Sequence, residues 1–374
     1  MNDIYEYLDP VPVQELCDDA SFTDGHLGHH VSINTGNGAG IDEADLVILG
    51  IPEFRGTGPV LTSKGPDAIR KELYNLYYWH REIRIADLGN IRKGKSLADT
   101  YAAVTIVISE LLESGKTVIL LGGSHDLTLA QYGAYASLKK SIECTCVDSV
   151  IDLKSESPVK SSNFLLEMLT LEPNYIRHFN HIGFQTYLVH PRMMETLDKL
   201  RFDCYRLGRV KEDIEEMEPV IRNSHMFSFD ISAIKNSDSP ASRTSPNGLD
   251  GIEACTLCRY AGMSTDLKTF GIYGYVPDHD RNGMSALQIA QMVWYFIDGR
   301  NNSRHESSLS ERQHYNEYHT VFGEIDTTFL QSKRTGRWWM QLPDSNYIAC
   351  SPKDYFQASH NQIPERWLRS QERL

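Results

Sequence analysis

Three places in the chain set a donor side chain just beyond a short apolar run. Residues 118–121 lead into Gly122, Gly123, Ser124, His125 and Asp126. Residues 144–147 lead into Asp148 and then Asp152, and residues 225–229 into Asp230. Each run has the length and composition of a buried strand. Strand ends of this kind in a parallel sheet open on one crevice, where loop side chains and helix amides face the same space. One imidazole and three carboxylates meeting there form a donor set suited to Mn²⁺ or a similar divalent ion, with no thiolate required. A lone Asp at a strand end is more commonly a helix cap or turn residue. Three strand ends acting together point instead to a site.

The remaining chain must bring those ends side by side. Apolar runs at 44–53, 85–90, 181–186 and 269–277 read as further strands, several closed by Gly or Pro. Between them lie helical patterns at 97–114, 164–169, 191–200 and 286–297, one helix opening at Pro66 and another after Gly248. Alternation at this spacing predicts right-handed βαβ units and a three-layer α/β/α fold with a mostly parallel sheet. The acidic run at 212–218 is read as a solvated helix surface. The Ser-, Asn- and Pro-rich stretch 235–247 is read as an exposed connection placed to close over the crevice. Expected boundaries are a loosely structured lead-in (1–43), the α/β domain (44–299), a flexible linker (300–314) and a C-terminal extension (315–374). Trp338, Trp339, Tyr347 and Trp367 in the extension imply packing on the body or on another subunit.

The three donor segments resemble, in order, the metal-binding signatures of the ureohydrolase superfamily (arginase, agmatinase, formimidoylglutamase), and formimidoylglutamase-like proteins most. Those signatures read Gly-Gly-Asp-His-Ser, Asp-Ala-His-x-Asp and Ser-Phe-Asp-x-Asp. This chain has Gly122-Gly123-Ser124-His125-Asp126, Asp148 to Asp152, and Ser228-Phe229-Asp230-Ile231-Ser232. The resemblance covers residues 44–298 and implies an arginase-like fold, a homo-oligomer and, in active members, two Mn²⁺ ions sharing a hydroxide that attacks an amidino carbon. Carried over by position, His125, Asp148, Asp152 and Asp230 match the ligands of one ion. The second ion's positions carry Val150 and Ser232, and the position of the family's substrate-gripping Glu carries Gly274. Asp126 either compensates for that loss or caps the following helix, and capping is favoured.

Two readings follow. In the favoured one, the protein keeps one metal ion or none, has lost amidine hydrolysis, and acts as a binding, regulatory or assembly protein. In the other it is a Mn²⁺-dependent hydrolase of C–N bonds in linear amidines. A formal charge of −13 over 374 residues disfavours nucleic acid and anionic membranes, leaving a small molecule or a protein as partner. No apolar run is long enough to span a bilayer and the first residues lack a signal pattern, so a cytoplasmic location is expected. Seven scattered cysteines suit reduced thiols, and the Cys255/Cys258 pair lies in a helical pattern with no second pair to complete a zinc site.

Overall fold

The computed structural model describes residues 2–17, 21–58, 64–242 and 245–372. Among the described residues ten strands form the main sheet: β1 (Leu8–Asp9), β2 (Ser32–Ile33), β3 (Leu46–Gly50), β4 (Ile85–Ile91), β5 (Thr117–Leu121), β6 (Ile142–Val147), β7 (Ile176–Phe184), β8 (Asp203–Arg206), β9 (Met226–Asp230) and β10 (Thr269–Tyr273). Their order is β1-β4-β3-β5-β10-β9-β6-β7-β8, with β2 also on β4, and every pairing is parallel except that of β1 with β4.

The sheet is buried on both faces, and each strand divides its side chains between two apolar layers. Ile119 and Leu121 of β5 join one cluster with Phe227, Phe229, Phe270 and the helices Gly65–Tyr74, Gly251–Met263 and Met284–Ser303. Val118 and Leu120 join the other, with Val104, Val107, Leu127 and Met226, under the helices Leu97–Glu113 and Leu127–Ser137. The period of two in the strands meets the 3.6-residue period of the helices on each side, giving the expected arginase-like three-layer fold. Ser96 with Asp99, and Asp250 with Glu253, form capping boxes that start two of these helices.

Several segments differ from the sequence reading. The lead-in supplies β1 and β2, because Leu8 and Ile4 find apolar partners beside β4. The helix Met284–Ser303 continues four residues into the segment read as a linker, its buried Gly299 and Ser303 still facing the body. In the stretch 235–247, where residues 243 and 244 lie outside the described residues, Ser239, Ala241 and Ser245 are buried. Ala241 N–H donates to Ser285 Oγ and the Ser245 hydroxyl to Gln185 Oε1, so the connection is pinned to the body rather than exposed.

The extension forms an antiparallel meander, β11 (Tyr315–Phe322), β12 (Ile325–Ser332), β13 (Trp338–Gln341) and β14 (Tyr347–Cys350), followed by the helices Pro352–Ser359 and Glu365–Gln371. Tyr355 stacks on Trp338, and Trp367 meets Phe322 edge-on, giving the extension its own apolar centre. It docks on the acidic run, of which Glu212 and Glu215 stay exposed while Asp213, Glu216 and Glu218 are partly buried, so the run is solvated only in part. Asp213 pairs with Lys353, Glu216 with Arg366, and Glu218 with Arg222 and Arg337. Arg222 is buried, donates from Nη1 to Trp338 O at 2.6 Å and lies 4.6 Å over the Trp339 ring.

Removing one partner of a buried pair strands the other, whereas an exposed pair is screened by water. Arg222→Ala is expected to cost about 3 kcal/mol in urea unfolding. Arg209→Ala, which breaks only the exposed pair with Glu365, is expected to cost less than about 0.5 kcal/mol. Equal losses in the two variants would contradict this account of the seam.

Candidate metal centre

The β5 strand ends in a turn that only glycine fits. Gly122 and Gly123 have φ of +84° and +79°, and a Cβ on Gly123 would fall 2.1 Å from Leu127 Cδ1 and 2.7 Å from Ile51 O. The chain is thereby turned so that His125 enters the crevice ahead of the helix Leu127–Ser137. Two strands away lies β9, ending in Asp230, and β6 pairs with it in a register that sets Val147 beside Phe229. Asp148 follows at once, level with Asp230.

All four donor residues expected from the sequence come together. His125 Nδ1 lies 3.0 Å from Asp148 Oδ2, 3.2 Å from Asp152 Oδ2 and 3.6 Å from Asp230 Oδ2. Ligand atoms of His125, Asp148 and Asp230 are all within 4.8 Å of one another. His125 is almost wholly buried, and its Nδ1 has no hydrogen bond of good geometry despite the oxygens around it. Adjacent donors on a six-coordinate ion of this size sit about 3 Å apart, so the spacing fits a shared cation.

The electrostatics show what that spacing costs without one. Burial opposes the His125 imidazolium, but Cys146, Asp148 and Asp152 raise its pKa well above the ordinary value. Burial also opposes an ionised Asp148, yet the hydrogen bond and charge of His125, with Ser232, hold it below the usual range. Burial and then the charge of Asp148 push Asp152 up to about 8 and Asp230 up to about 6. The buried carboxylates thus hold protons more strongly because of one another.

The other half of the crevice is built differently. Val150 offers only its backbone, whose N–H donates to Asp148 Oδ1 at 3.2 Å. The Ser232 hydroxyl donates to the same oxygen at 2.5 Å and accepts from Ser149 Oγ at 3.1 Å, while Ser232 N–H donates to Asp230 Oδ1 at 2.7 Å. Gly274 sits at φ +82° with its N–H donating to Gly123 O, and a Cβ there would lie 2.7 Å from Asp230 Oδ1. The left-handed backbone just beyond β10 disfavours any side chain at this position, because a Cβ would press on the Asp230 carboxylate.

Asp126 is fully buried. It makes no side-chain cap bond; its Oδ2 accepts from Tyr101, and Gly56 packs on its carboxylate so closely that a Cβ would collide. Burial raises its pKa. The residues that orient His125 were not singled out from sequence. Ser228 Oγ is 3.1 Å from His125 Nε2 and 2.6 Å from Thr128 Oγ1, Cys146 Sγ is 3.6 Å from the same nitrogen, and Phe164 meets the ring edge-on. Ser228 and Cys146 could have been found by strand alternation, since each lies two residues before a donor on the same strand face.

The sequence model of the arginase family matches residues 44–298. Formimidoylglutamase of Hahella chejuensis is 27% identical over 176 residues, covering 42% of this chain and 52% of that relative, so the match spans about half of its length. Formimidoylglutamase of Staphylococcus aureus is 23% identical over 249 residues, covering 64% and 80%. The crystal structure of Bacillus subtilis formimidoylglutamase superposes with a TM-score of 0.67 at 17% identity, covering 80% of this chain and 98% of that one. Trypanosoma cruzi formiminoglutamase, solved with Mn²⁺, gives 0.64 at 19% identity, covering 78% and 99%. At these identities the structural likeness speaks for the fold alone. The family match, however, takes in well over half of the chain and every donor residue described above: this protein belongs to the arginase family.

Proposed function

We propose that this arginase-family protein holds a single divalent ion, Mn²⁺ by the chemistry of its donors, and binds a small molecule or protein partner without hydrolysing amidines. His125, Asp148, Asp152 and Asp230 would hold the ion. The observation that carries this reading is the bond from Ser232 Oγ to Asp148 Oδ1, which satisfies that carboxylate oxygen within the protein where a second ion would call for a charged or imidazole donor. Val150 contributes no lone pair nearby, and Ser232 is a neutral, weak donor.

Charge points the same way. Three carboxylates around one dication leave a net negative cluster, which weakens the ion as a Lewis acid toward a bound oxygen or nitrogen ligand. The chain's own groups prepare the site: Ser228 and Thr128 fix the imidazole, and the left-handed backbone at Gly274 leaves room for the Asp230 carboxylate. A cytoplasmic homo-oligomer belongs to the same reading. The alternative, hydrolysis of C–N bonds in linear amidines, is favoured by the formimidoylglutamases among the relatives.

Metal content and turnover separate these readings. Purified protein dialysed against Mn²⁺ should retain about one ion per chain, fall to none in Asp230→Asn, and rise toward two in Val150→His combined with Ser232→Asp. With Mn²⁺ present it should release no formamide, urea or ammonia from formimidoylglutamate, agmatine or arginine; turnover above about 1 per second on any of them would overturn the proposal.

Calorimetry tests the ligand assignment. In the metal-free state Asp152 and Asp230 keep their protons up to about pH 8 and pH 6 respectively, and His125, its pKa raised well above the ordinary value, holds one too. Mn²⁺ must displace those protons, so its affinity should rise as pH rises from 6 to 8, with proton release visible as a dependence of the heat on buffer. Affinity independent of pH over that interval would contradict the assignment of these carboxylates as ligands.

A further inference from the structure

Most sheet edges among the described residues are short. β1 and β2 have two residues each, and β8 and β14 have four. β11, the first strand of the C-terminal meander, runs for eight residues and pairs with β12 without a break in register. A long edge is commonly guarded by lysine, proline or a bulge, because its unpaired main-chain groups recruit another strand. The sequence Tyr315-Asn316-Glu317-Tyr318-His319-Thr320-Val321-Phe322 has none of these guards, and Glu317 is its one carboxylate.

The ladder with β12 determines which main-chain groups face outward. Lys333 N–H donates to His314 O at 2.9 Å, so the bonded positions of this antiparallel pair are 314, 316, 318, 320 and 322. Tyr315, Glu317, His319 and Val321 therefore turn their N–H and C=O groups away from β12. Those groups bond to nothing else among the described residues. The side chains of Glu317, His319 and Val321 are exposed, Val321 to 58%. The helix Pro352–Ser359, whose Tyr355 packs on Tyr318, leaves Phe356 exposed to 64%.

The outward groups are complementary to themselves about a two-fold axis. When Tyr318 lies on the axis of an antiparallel pair, Tyr315 faces the partner's Val321 and Glu317 faces the partner's His319. Every outward N–H then meets an outward C=O. Glu317 finds an imidazole rather than a second carboxylate, which favours this cross-strand pair. Thr328 Oγ1, 3.1 Å from His319 Nδ1, can donate or accept, and so leaves Nε2 able to carry a proton toward that carboxylate. A slip of two residues toward the start of the strand would set Glu317 against the partner's Glu317 and leave Val321 unpaired.

We infer that β11 is a dimer interface, pairing antiparallel with β11 of a second copy so that two four-stranded meanders become one continuous sheet. The contact lies beyond residue 298, where the arginase-family match ends, so it is separate from any association of the body and does not depend on the metal centre.

Sedimentation velocity of the whole chain at about 50 μM tests this, with substitutions confined to exposed positions of β11. The unaltered chain should self-associate. His319→Glu sets carboxylates against one another across the axis and should weaken association about tenfold or more. Val321→Pro removes an outward N–H while sparing the ladder with β12, and should weaken it as well. Glu317→Lys combined with His319→Glu exchanges the two charges and should restore the original assembly, which a hairpin that had merely lost its fold would not do. An unaltered chain that stays monomeric, an assembly whose mass ignores all three variants, or a charge exchange that fails to rescue His319→Glu would overturn the inference.

Discussion

Carboxylates packed as closely as Asp148, Asp152 and Asp230 cannot all remain ionised in a dry crevice unless something positive joins them. That constraint organises the molecule. It requires three strand ends to arrive side by side, which a parallel sheet buried on both faces supplies, and it requires His125 to be turned inward by a glycine pair that no other residue could replace. Metal or protons then complete the charge. The shift of Asp152 to about 8 and of Asp230 to about 6 describes how protons do so.

The proposed single-ion reading rests on small features of the same crevice. A hydroxyl at Ser232 satisfies Asp148 Oδ1 internally, and valine at 150 leaves only a backbone N–H pointing at that oxygen. At Gly274 the backbone holds a left-handed conformation against Asp230, where a Cβ would press on the carboxylate.

Much of this is legible in the amino-acid sequence. Apolar runs locate β3, β5, β6, β9 and β10, and the residue types beyond β5, β6 and β9 point to the four candidate donors. What escapes is set by contacts distant along the chain. The acidic run at 212–218 resembles a solvated surface until Lys353 and Arg366, more than a hundred residues later, return to pair with it. β1 and β2 are two residues each, too short for any periodicity, and exist only because β4 offers an edge. Ser239, Ala241 and Ser245 have the composition of an exposed loop, yet all three are buried, with Ser285 and Gln185 bonding the last two. In each case a tertiary partner overrides a local preference.

The central claim is one ion rather than two, held by four named side chains. Anomalous diffraction at the manganese edge from crystals grown with Mn²⁺ tests it most directly. A single peak within bonding reach of His125, Asp148, Asp152 and Asp230, with Ser232 still bonded to Asp148, is the expected result. Two peaks of comparable height bridged by Asp148 and Asp230 would contradict it, as would a crevice that stays empty while manganese binds elsewhere.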